Sequence, residues 1–101
     1  MKLPDHVMIL GRRYEICREK LDDEFGAIEY STGVIFLDSS LEPHEVTGTL
    51  LHEILHGILH EAGLRTKIRT KTEEVLVTAL ENGLMRSGMI RTIDKPRTRK
   101  V

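Results

Sequence analysis

Two histidines four residues apart, His52 and His56, enclose a glutamate in the run Leu50-Leu51-His52-Glu53-Ile54-Leu55-His56-Gly57-Ile58-Leu59. On an α-helix, residues at i and i+4 project from one face, so both imidazoles can reach a single metal ion. Glu53 lies next to that face, where a carboxylate can hold and deprotonate a water. The five residues form an HExxH motif. On an apolar helix, this pattern binds Zn²⁺ through its histidines and uses its glutamate as general base in peptide-bond hydrolysis. Imidazole combined with carboxylate also suits zinc, so Zn²⁺ is the expected cofactor.

Catalytic zinc usually keeps three protein ligands and one open position, so a third donor is needed. His60 follows His56 by four residues, but it stands eight from His52, about 12 Å along a straight helix. Bonds of ~2 Å cannot bring both to one ion, and His60 is read as a surface or supporting residue. A histidine six residues after His56 would fit another zinc pattern, but Ala62 stands there. His6 and His44 have no ligand spacing and are read as surface residues. Glu73 and Glu74 remain, at the start of a second helix. Glu73 shares a face with Leu76, Val77, Leu80 and Leu84, whereas Glu74 lies along Thr78 and Glu81 on a wetter side. Ligation removes the cost of burying a bare charge on the core-facing stripe. Glu73 is therefore the expected third ligand, with Glu74 as its competitor. In the plainer alternative, both merely complement the helix dipole.

These residues need a frame. His6 to Leu10 is short and apolar, and Arg13 to Arg18 alternates polar with apolar residues, as a half-buried strand does. Ala27–Tyr30 and Val34–Leu37 flank Ser31-Thr32-Gly33, a hairpin signal. After Asp38-Ser39-Ser40 the period becomes helical, with Pro43 suited to a first turn. The HExxH helix should run from about Pro43 to Ala62 and stop at Gly63. Its apolar face is read as Leu51, Ile54, Leu55, Ile58 and Leu59. A second helix is expected from about Thr72 to Ser87, capped by Thr72, with Val75, Leu76, Val77, Ala79, Leu80 and Leu84 buried. The expected fold class is α+β: a small, mostly antiparallel sheet of three to four strands followed by two packed helices. Residues 1–90 form a single domain on this reading, and residues 91–101 a basic, disordered tail.

The 101 residues are 40% hydrophobic and 31% charged, with a formal net charge of −1. That balance gives no global drive toward nucleic acid, and the basic tail is read as a solvated end. No apolar run approaches the roughly 20 residues of a membrane span, and the N-terminus has no long apolar region of a signal peptide. A cytoplasmic location with no membrane partner is expected. The single cysteine, Cys17, excludes an internal disulfide and is read as a buried structural thiol.

With the HExxH segment His52–Gly63, the strand Val34–Asp38 and the segments Glu73-Glu74-Val75 and Glu81-Asn82-Gly83-Leu84 in view, the chain resembles the ImmA/IrrE-type metallopeptidases, especially short phage and prophage members. The resemblance covers roughly Ala27 to Leu84. It implies a small gluzincin core, with His52, His56 and Glu73 as ligands, Glu53 as base and a protein or peptide as substrate. It further implies that an extended peptide pairs with an exposed edge strand, assigned here to Val34–Leu37. A peptidase also needs a group beside the scissile carbonyl, for which Tyr30 and His44 are candidates. The alternative is a zinc-stabilised binding module that engages or inhibits a host protein without cleaving it.

Overall fold

The computed structural model describes residues 3–90, and the basic tail expected at 91–101 lies outside them. The elements are β1 (His6–Ile9), β2 (Arg12–Glu19), β3 (Gly26–Glu29), β4 (Val34–Asp38), α1 (Pro43–Glu61) and α2 (Thr70–Arg86). This is the expected α+β arrangement: a mostly antiparallel sheet followed by two packed helices. The strand order is β1-β2-β4-β3. β1 pairs antiparallel with β2, and β3 with β4, while β2 and β4 run parallel.

The β3–β4 hairpin therefore joins the sheet through its second strand. This corrects the assignment of Val34–Leu37 as the exposed edge, because β4 is bonded on both sides and β3 is the edge strand of the hairpin. The cause lies in the side chains. Ile35 and Leu37 are fully buried, and a strand this apolar is stable where neighbours cover it. Cys17 is a second correction, since its thiol is exposed. Along β2 the buried Tyr14 and half-buried Ile16 turn inward, so Arg13, Glu15 and Cys17 take the opposite face.

α1 begins with a capping box. Glu42 N–H donates to Glu45 Oε1 at 2.8 Å, and Pro43 fills the first turn. It ends with Ala62 as C-cap and Gly63 at φ +76°, the left-handed position that glycine takes without strain. The helix lies against β3, β4 and β1. Its buried strip is Val46, Leu50, Glu53, His56, Gly57 and Leu59, whereas Ile58 is exposed. With Ile9, Tyr14, Ile35, Leu37 and Leu41, residues Val46 and Leu50 form the core.

α2 starts at Thr70, two residues before the expected Thr72, and its first turn is closed by Glu73 N–H donating to the Arg69 carbonyl. It packs chiefly on α1. A single neighbouring helix covers only a narrow strip, so Glu73 and Val77 are buried while Val75, Leu76 and Leu80 remain exposed.

One part-buried contact ties the last turn of α1 to the sheet. Tyr14, with no exposed surface, donates its hydroxyl to Glu61 Oε2 at 2.6 Å, and Arg12 Nη1 donates to the same oxygen at 3.1 Å. Desolvation, reinforced by the neighbouring Glu61 carboxylate, pushes the phenol up to about 12, so it remains a donor at neutral pH. Tyr14→Phe should keep the packing and lose that donor. The expected cost is about 1 kcal/mol, read as a melting temperature lower by several degrees.

Candidate metal centre

His52 and His56 sit one turn apart on α1, with ring centroids 4.9 Å from each other. α2 crosses beside them and supplies three carboxylates. Glu74 Oε1 lies 3.4 Å from His52 Nε2, and Glu74 Oε2 lies 3.0 Å from His56 Nε2. The opposite nitrogens are also engaged. His52 Nδ1 meets Glu81 Oε1 at 2.9 Å, and His56 Nδ1 meets Glu73 Oε2 at 2.5 Å.

With each Nδ1 hydrogen directed at the Glu81 or Glu73 carboxylate, each Nε2 would present its lone pair toward an ion shared with Glu74. Two imidazole lone pairs and a carboxylate then crowd together, and such donors repel unless a positive charge lies among them. Among the described residues, His52, His56 and Glu74 form a group whose ligand atoms lie within 4.8 Å of one another and could hold a metal ion. The donor chemistry fits a divalent ion. Carboxylates behind both imidazoles are the usual support for histidine ligands.

The three α2 carboxylates divide this work in a way the linear pattern does not reveal. Glu73 is buried, as its stripe predicts, but it lies on the far nitrogen of His56 rather than among the converging donors. Glu74 joins the two Nε2 atoms although its side chain is 56% exposed. Its face, shared with Glu81, looked like the wet side because it carries no large apolar residue. It is wet because it borders a cleft. Glu81 was not expected to support a histidine, yet its spacing of seven from Glu74 was a usable signal, since that interval returns to the same helix face.

Glu53 occupies the wall of that cleft. It is 7% exposed, and among the described residues its carboxylate accepts no hydrogen bond. Burial raises its carboxyl above the ordinary range. His52 and His56 oppose that shift, while Glu74 and Glu24 add to it. Gly26 leaves room for this carboxylate. A Cβ there would stand 3.2 Å from Glu53 Oε2 and 2.8 Å from Thr49 Cγ2.

No known family model matches this sequence, and no curated protein matches it. The site therefore has to be read from its own geometry. The cleft, of about 360 Å³, is lined by Tyr30, His52, Glu53, His56, Arg65 and Glu74 among others, with Gly26, Ala27 and Ile28 of edge strand β3 along one side. Tyr30 thus borders the metal group, whereas the other carbonyl-binding candidate, His44, is an exposed first-turn residue outside the lining. His60 stacks on Tyr30 with ring centroids 4.2 Å apart, a supporting position consistent with its exclusion as a ligand. Among the described residues, no helix is long and apolar enough to cross a membrane.

Proposed function

We propose that this chain is a zinc-dependent peptidase of the ImmA/IrrE type, in which His52, His56 and Glu74 hold the ion and Glu53 is the general base. The observation that carries this reading is Glu53 itself, a buried carboxylate without a hydrogen-bond partner among the described residues, beside three converging donors. A buried carboxylate without a hydrogen-bond donor is costly. Its retention is explained by a task in the cleft, and burial shifts the carboxyl upward, the direction that strengthens a general base. When bound, zinc would supply a Lewis acid that polarises a carbonyl and acidifies water.

The chain's own groups account for the remaining requirements. Glu53 takes a proton from the attacking water and returns it to the departing amine. Among the described residues the outer edge of β3 is unpaired and offers backbone donors and acceptors to an extended peptide lying along the cleft, which supports a protein or peptide substrate.

Metal analysis with a cleavage screen tests the proposal. The purified protein should carry about one zinc per chain. Cleavage of a peptide library should disappear with a chelator and return with added zinc. Undiminished cleavage after complete metal removal would eliminate the mechanism. The exposed Val75, Leu76 and Leu80 on α2 support a second reading, a metal-stabilised module that binds a host protein. Under that reading, Glu53→Gln would retain the full biological effect.

A further inference from the structure

The supports behind the two histidines differ. Glu81 reaches His52 from a part-buried position, whereas Glu73 is 4% exposed and makes two contacts. Its Oε2 faces His56 Nδ1 at 2.5 Å, and its Oε1 accepts from Arg65 Nε at 3.3 Å. Arg65 lies between the helices, so no regular element fixes it. Its guanidinium instead covers the Tyr30 ring, 4.5 Å from the centroid. The other side of the arrangement is anchored as well: the Tyr30 ring stacks on His60 near the end of α1, and the Tyr30 carbonyl accepts from Arg12 Nη2 at 2.5 Å.

We infer that Arg65 is a positioning residue for the metal centre, acting through Glu73 on His56, with the Tyr30 ring as the platform that holds it. This inference rests on the metal-site reading above. A carboxylate held at one oxygen can still swing, and it then holds its imidazole loosely. Fixing the second oxygen removes that freedom and directs His56 Nε2 toward Glu74. A long arginine side chain loses much rotamer freedom when held in place, and stacking on an aromatic face offsets that loss. The Tyr30 contact therefore keeps the Arg65–Glu73 bond populated without burying the arginine, whose side chain is 37% exposed.

The test is equilibrium zinc affinity, measured by competition with a chromophoric chelator, together with thermal unfolding of the metal-free protein. Changes to partners of metal ligands typically weaken binding by 10–100-fold. Arg65 acts one contact further out, so Arg65→Met should weaken zinc binding about 10-fold, at the lower end of that range. The metal-free unfolding temperature should fall only modestly, because Glu73 keeps its contact with His56. Arg65→Lys, which keeps a charge without the planar fork, should lie between wild type and Arg65→Met. Tyr30→Phe should bind as wild type, because the contact uses the ring face. In a Glu73→Gln background, Arg65→Met should produce no further loss, because the contact through which it acts is already impaired.

Equal zinc affinity in Arg65→Met and wild type would overturn the assignment and leave the metal site standing. So would an undiminished Arg65→Met effect in the Glu73→Gln background. Failure of the wild-type protein to bind zinc would overturn both readings.

Discussion

Glu53→Gln should lower the rate of peptide cleavage by about 10²–10⁴-fold, the usual contribution of a general acid–base group, while zinc affinity remains close to wild type. The two halves of this result have separate causes. Glu53 lies beside the three donors but is not one of them, so an amide there removes no ligand. Gln has nearly the same shape, so the tight fit against Gly26 and Thr49 should persist. What disappears is the proton acceptor. Burial also works in favour of the variant's stability, because a neutral amide incurs less desolvation than a carboxylate whose ionisation burial already opposes. The measurement is kcat and KM on a verified substrate beside zinc content. Retained turnover would remove Glu53 from the mechanism, and lost zinc would make it a ligand.

Glu74→Ala should weaken zinc binding by more than about 100-fold, beyond the range typical of partners behind the ligands. Glu73→Ala should fall within that 10–100-fold range. The difference follows from the nitrogens. Glu74 stands with both Nε2 atoms, whereas Glu73 stands behind one ring at Nδ1. The two variants should separate in a second way. Glu74 is largely exposed, so its loss should hardly change the metal-free melting temperature. Glu73 is buried between His56 and Arg65, and its removal leaves both without their partner. Leaving the buried His56 Nδ1 without its hydrogen-bond partner commonly costs about 1–3 kcal/mol. Thermal scans with and without zinc distinguish these effects, because an ion that binds only the folded state adds about 2.7 kcal/mol at 100 times its dissociation constant. Equal zinc affinity in Glu74→Ala and wild type would return the third-ligand role to Glu73.

Much of the scaffold was readable in the linear pattern because its signals are local. Pro43 and Gly63 bound α1, since one tolerates a missing N–H and the other a positive φ. The alternation in β2 and the hairpin of β3 and β4 were similarly visible. The errors occurred where partners distant in sequence decide. A continuous apolar run such as Val34–Leu37 is compatible with either edge or centre, and only its pairing with β2 makes it central. The apolar residues of α2 suggested a broad buried stripe. Their burial depends on how many neighbours the helix has, and it has chiefly one.

The same distinction separates the parts of the candidate site. His52, Glu53 and His56 lie within one helix, so 3.6-residue geometry was enough to bring the imidazoles together and leave the carboxylate beside them. That much the amino-acid sequence determined by itself. Glu73 and Glu74 are adjacent on another helix and project about 100° apart, so either could turn toward the histidines. The packing of α2 on α1 put Glu74 with the Nε2 atoms and Glu73 behind an Nδ1. It also brought in Glu81 and Arg65. Which nitrogen meets which carboxylate depends on the distance and rotation between two helices, and neither quantity is encoded in a local period.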